Sequence, residues 1–123
     1  TLTDTTFIFR EEGSITRLVM ENFISKNKIK IKKKIELTSN EAVKQAVIAG
    51  LGWSIMPIIG IRNEVESGLL KIIPMKGLPI QTTWQLIWLK EKKLSPIAES
   101  YLAYLAKEKD NIIQNYFALP SQK

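Results

Sequence analysis

The sequence predicts an α/β fold, a sheet with helices on both faces, and three observations carry that reading. Short apolar strands alternate with helices whose starts are marked by hydroxyl residues and whose ends are marked by glycine. The helical stretches repeat apolar residues at a period near 3.6, and the strand stretches do not. The segment TWQLIWL, Thr83 to Leu89, is apolar on both faces, which suits a strand inside a sheet rather than at its edge.

Phe7-Ile8-Phe9 reads as the first strand, ended by the polar string Arg10-Glu11-Glu12-Gly13-Ser14. A helix from Ser14 to Lys26 follows, with Ile15, Val19 and Phe23 on one stripe and Leu18 beside them. In the next strand, 30–37, Ile29, Ile31, Ile35 and Leu37 fall on odd positions. Lys28, Lys30, Lys32, Lys34 and Glu36 fall on even ones, so one face is buried and the other wet. The stretch TSNEAVKQAVIAGLG, residues 38–52, is a helix with both ends marked. Thr38 or Ser39 can cap it, Glu41 stands at capping-box spacing from Thr38, and Gly50 and Gly52 supply the stop. Val43, Ala46, Val47 and Leu51 form its inward face.

Trp53 to Met56 is a short buried strand closed by Pro57; a helix over 59–67 stops at Gly68, and Leu69 to Ile73 makes another strand. The stretch PMKGLP, Pro74 to Pro79, is a hinge or crossover. Ser95-Pro96 is a cap followed by proline at the first helical position, opening a helix with Ile97, Tyr101, Leu102 and Leu105 on one side. A last amphipathic piece, 111–119, with Ile112, Ile113, Tyr116 and Phe117, packs on the body or meets a partner. Trp53, Trp84 and Trp88 sit in apolar strands and are expected in the core.

The 123 residues suffice for one domain, and 45% hydrophobic with 24% charged residues is globular composition. Neither cysteine nor histidine is present, which removes thiolate chemistry and the commonest metal ligand and neutral-pH base. Glu11-Glu12 could be mistaken for a catalytic pair, but neighbours on an extended segment point opposite ways and cannot flank one bond. No nucleophile elbow occurs. The reading is therefore not an enzyme, with no catalytic residues, no metal site and no cofactor. No stretch is long and apolar enough for a membrane span and no signal pattern opens the chain, so no membrane partner and a cytoplasmic location are expected. The net charge of +6 resides in one run, Lys26, Lys28, Lys30, Lys32, Lys33 and Lys34. A solvated edge strand guarded by lysines explains it, and a nucleic-acid patch is the second reading, without the arginines and aromatics such a patch uses.

In α/β sheets, ligands sit outside the carboxyl ends of strands, where loops lead into helix starts. Two helices begin this way, near Ser14 and near Ser39, and both could present donors to one small anion. Capping alone also explains Ser14 and Thr16, whereas Thr38, Ser39 and Asn40 exceed what one cap needs. Arg10 and Arg17 either neutralise an anionic ligand or pair locally with Glu11 and Glu12.

The residues FIFREEGSITR at 7–17, TSNEAVKQAVIAGLG at 38–52, Pro57, and Leu94-Ser95-Pro96 opening a helix together resemble the regulatory domain of LysR-type transcriptional regulators, over roughly residues 6–105. The resemblance implies a two-lobed effector-binding domain similar to periplasmic type 2 solute-binding proteins, with a small, anionic effector between the lobes. Residues 1–78 then resemble the second lobe, and 79–123 the return crossover strand and C-terminal helices. It implies self-association into a dimer or higher oligomer, and DNA contact only through a helix-turn-helix domain with no counterpart here, so the chain resembles a fragment of a regulator. The family's effector site maps onto Gly13, Ser14 and Thr16 and onto Thr38, Ser39 and Asn40. Where the family commonly has glycine between the serine and threonine, this chain has Ile15, whose place on the apolar stripe points it inward. Two alternatives remain open: an assembly fragment without effector affinity, and a solute-binding lobe unrelated to transcription.

Overall fold

The first strand, β1 (Thr6–Arg10), lies in the middle of the sheet, with a parallel neighbour on each side. The structure, a computed structural model, describes residues 4–121. On one side β1 pairs with β2 (Lys33–Leu37), placing Ile8 opposite Ile35 and Arg10 opposite Leu37. On the other, Phe7 forms a single parallel bridge with Trp53: the Ile8 amide donates to the Trp53 carbonyl at 2.9 Å, and the Trp53 amide donates to the Thr6 carbonyl at 3.1 Å. The expected strand at Trp53 to Met56 is thus reduced to one bridge.

Helices cover both faces, because alternate β1 side chains point opposite ways. Phe7 and Phe9 join Met20 of α1 (Ile15–Lys26) in one core cluster, with Ile24, Ile31, Trp53 and Ile55 against it. Ile8 joins Val43 and Ala46 of α2 (Asn40–Ile48) in a second cluster, with Ile35, Leu37, Val47 and Met56. Phe7, Ile8, Met20 and Val43 are fully buried, each worth about 1.5–3 kcal/mol of transfer free energy.

Both helices end in a Schellman motif. In α2 the Gly50 amide donates to the Val47 carbonyl and the Leu51 amide to the Ala46 carbonyl, with Gly50 at φ +79°. In α1 the Lys28 and Ile29 amides do the same to Ser25 and Ile24, with Lys28 at φ +52°. Gly52 acts differently from Gly50: an added Cβ would lie 2.1 Å from the Thr6 carbonyl oxygen, so glycine there permits the close approach to β1.

Several expectations need correction. The inward face of α1 is Arg17, Met20 and Phe23, whereas Leu18 is exposed and Ile15 is 75% exposed. An arginine occupies the core-facing position one turn before Met20, and an apolar-pattern reading passes over it. Strand β2 begins at Lys33, not Lys30, so Ile31 leaves the alternation and packs with the α1 cluster while Ile35 and Leu37 pack with the α2 cluster. Leu51 is exposed. The helix expected over 59–67 is split into a 3-10 turn, Ile58–Gly60, and the short α3 (Arg62–Glu66). Leu69 to Ile73 and Thr83 to Leu89 form no strand, because no partner strand among the described residues supplies ladder hydrogen bonds.

The chain divides into two compact units, one running up to Ile73 and including residues from Leu119, the other Pro74–Ala118. In the second unit, PMKGLP folds as a tight turn with Gly77 at φ +88°. There α4 (Pro96–Ile112) is capped by Ser95, whose Oγ accepts from the Ala98 amide at 3.2 Å. Its end widens into a π turn, Ile113–Phe117, so the two expected C-terminal helices are one. Trp84 meets Phe117 edge-on at 5.7 Å between ring centroids. Trp84 and Trp88 are nevertheless 75% and 53% exposed, unlike the core position expected for them, whereas Trp53 packs edge-on against Phe7 at 4.4 Å.

Candidate functional site

Parallel pairing of β1 and β2 puts their carboxyl ends on the same edge, so the starts of α1 and α2 share that edge. The turn after β1 passes through Gly13 at φ +89°, a left-handed conformation that glycine enters cheaply. Ser14 caps α1, its Oγ accepting from the Arg17 amide at 3.4 Å. Thr16 stands in the first turn, half-buried. Ser39 caps α2, accepting from the Ala42 amide at 3.0 Å, while its carbonyl accepts from Val43. Capping therefore follows Ser39 and not Thr38. Glu41 does not reach back as a capping box would: it accepts from Gln45 at 2.9 Å and pairs with Lys44. The caps leave the first amides of each helix, those of Asn40 and Glu41 in α2, pointing out of the helix end.

Two arginines organise the edge. Arg10 donates through Nε and Nη2 to both Glu11 carboxylate oxygens, at 2.9 Å each, and through Nη1 to Asn40 Oδ1. It thus reaches from the end of β1 to the first residue of α2. Arg17, only 8% exposed, donates to Glu21 at 2.8 Å, to Glu36 of β2, and to the Arg10 carbonyl at 3.0 Å. Its guanidinium lies 5.4 Å from the Phe9 ring centroid, a cation–π contact. Both guanidinium pKa values are raised, Arg10 by its bond to Glu11 and Arg17 by its bonds to Glu21 and Glu36. The Arg10 guanidinium in turn holds Glu11 at about 2, well below the usual carboxylate range. Local pairing, one of the two roles open to these arginines, is the one they adopt.

All six sequence-derived positions lie along this one edge. A shallow groove of about 320 Å³ is lined by Glu12, Gly13, Ser14, Ile15, Arg17, Leu18 and Glu21, with no residue of α2. Thr38 and Ser39 are exposed and Asn40 is half-buried. The Arg10–Asn40 bond was not foreseeable, because it joins residues thirty apart whose meeting depends on strand register. Among the described residues, no group of three or more acidic side chains could hold a metal ion, and no helix is long and apolar enough to cross a membrane.

Comparison with known proteins agrees with this architecture. The LysR substrate binding domain family matches residues 1–110. The HTH-type transcriptional activator CmpR of a Synechocystis species is 43% identical over 98 residues, covering 80% of this chain and 32% of that protein. A RuBisCO operon transcriptional regulator of Acidithiobacillus ferrooxidans is 39% identical over 104 residues, covering 85% of this chain and 34% of that protein. The chain spans about a third of the length of these relatives. Among solved structures, the CcmR regulatory domain of Synechocystis PCC6803 in complex with 2-PG superposes with a TM-score of 0.79 at 35% identity, covering 90% of this chain and 53% of that one.

Proposed function

The chain belongs to the LysR substrate binding domain family, and on that premise we propose that it is the effector-sensing part of a transcriptional regulator. In this reading residues 1–78 are the second lobe and 79–123 the return segment and C-terminal helices. A small anionic metabolite binds at the shared edge, held by Gly13, Ser14 and Thr16 on one side and Thr38, Ser39 and Asn40 on the other. The observation that carries the site is that two capped helices, which follow adjacent parallel strands and cover opposite faces of the sheet, both start at its carboxyl edge, where their end amides and hydroxyls are a donor set for an oxyanion. The ligand of the CcmR domain, 2-PG, supports a small-molecule effector for this chain too.

Binding is coupled to output through differential affinity: the effector favours one arrangement of the lobes, and that arrangement favours one geometry of the oligomer. DNA is contacted by a helix-turn-helix domain outside this chain, in the cytoplasm, and the chain itself performs no catalysis. Thermal unfolding against a panel of small carboxylates and phosphates at fixed ionic strength, including 2-phosphoglycolate and 2-phosphoglycerate, tests this. A ligand at a hundred times its Kd adds about 2.7 kcal/mol. The expected result is a selective upshift that Ser39→Ala abolishes. Absence of a shift with every anion would defeat the sensing reading for this chain.

One observation favours a second reading, an assembly role. The exposed apolar run Trp84, Leu86, Ile87, Trp88 and Leu89 is large enough to seek a partner surface. Light scattering across a concentration series that shows only monomer would count against it.

A further inference from the structure

Asn40 opens α2, and its carboxamide has one orientation available. Arg10 Nη1 donates to Asn40 Oδ1, which leaves the NH2 group with its two donors at the other end of the amide. A flipped amide would turn N–H groups against the guanidinium, donor against donor. Arg10 is itself immobilised: Glu11 grips it at two points, its carbonyl accepts from Arg17, it pairs with Leu37 at the last rung of the ladder, and its side chain is 16% exposed.

We propose that Arg10 is a positioning residue, which fixes the Asn40 carboxamide with both N–H donors free for an oxyanion at the α2 start. This inference rests on the anion-sensing reading above. It also assigns the source of selectivity at this edge. Glu11 neutralises Arg10, and Glu21 and Glu36 neutralise Arg17, so neither arginine is left as a free counter-charge. Neutral donors of fixed direction then choose the ligand by its acceptor geometry, favouring a fully ionised carboxylate or phosphate over a protonated one.

Titration calorimetry of the chain with 2-phosphoglycolate tests the assignment. Asn40→Asp keeps the Arg10 link but replaces two donors by a negative charge, so Tm is maintained while affinity falls about 10- to 100-fold. Arg10→Lys keeps the charge without the fork and frees the amide to rotate, weakening binding about 3- to 10-fold. On an Asn40→Ala background the same Arg10→Lys change is expected to have no further effect on affinity, which a general loss of stability would not reproduce. Equal losses on both backgrounds would overturn the positioning role. Binding that Ser39→Ala abolishes and Asn40→Asp spares would overturn it while leaving the sensing site intact. Failure of the unaltered chain to bind 2-phosphoglycolate or any other anion of the panel would defeat both.

Discussion

Arg17 of α1 reaches across the sheet edge to Glu36 of β2, and the two residues lie on the same face as Phe9. The contact ties the helix to the outer strand, which among the described residues has a ladder with β1 alone. Replacement of Arg17 by lysine keeps one charge but loses the fork that serves Glu21, Glu36 and the Arg10 carbonyl at once. We expect Arg17→Lys to cost about 1–2 kcal/mol in urea denaturation. Glu36→Gln should cost less than about 1 kcal/mol, because Glu36 is half exposed and its attraction is screened.

Acid should destabilise the first unit within a defined window. Glu11 is held at about 2 when folded against a usual value of 4.5, chiefly by its bond from Arg10. A depressed carboxylate contributes stability above its unfolded pKa and loses it as pH falls toward the folded one. Glu64 is lowered by Lys44, and Glu41 by Gln45 and then Lys44, so both act in the same direction. Tm followed by circular dichroism should fall between pH 4.5 and about 2, and Arg10→Gln should make that fall shallower.

The two Schellman ends give opposite expectations for glycine. Lys28 occupies the left-handed position in α1, so Lys28→Gly should stabilise by about 0.5–1 kcal/mol. Gly50→Ala, at the matching position of α2, should destabilise by about 1 kcal/mol. Gly52→Ala should be worse, about 2–3 kcal/mol, because the new methyl meets the β1 backbone rather than a flexible side chain. Thermal melts of the three variants would rank them, and a Gly52→Ala effect no larger than that of Gly50→Ala would refute the close-approach argument.

Most of the first unit was legible in the sequence because its signals are local. Ser14, Ser39 and Ser95 announce caps by themselves, Gly50 announces a stop, and the short apolar run Phe7-Ile8-Phe9 needs no partner to be read. What failed depended on contacts distant in sequence. TWQLIWL has the composition of a central strand, but composition supplies no neighbour, and without one among the described residues it forms no ladder. Ile15 fits an apolar stripe that Arg17 has already taken over. At the candidate site, Ser14 and Ser39 are readable as caps, but the Arg10–Asn40 bond becomes visible only once strand register is fixed.

The tryptophans report on the same failure. Iodide should quench Trp84 and Trp88 readily and Trp53 poorly, since the Trp53 indole nitrogen is buried. Trp53→Phe should therefore raise the quenchable fraction toward the whole signal, whereas Trp84→Phe with Trp88→Phe should remove it. Ile87→Lys, placed in an uncharged run of high β propensity, should reduce concentration-dependent light scattering without lowering Tm.

The central position of β1 has a kinetic consequence. Its ladder with β2 waits until the chain has passed through α1, and its bridge to Trp53 waits until β2 and α2 have followed. Chain closure must be met before any β1 hydrogen bond forms, whereas the capped helices can order from neighbouring residues alone. The central strand is thus expected to be seated last, between two helices already formed.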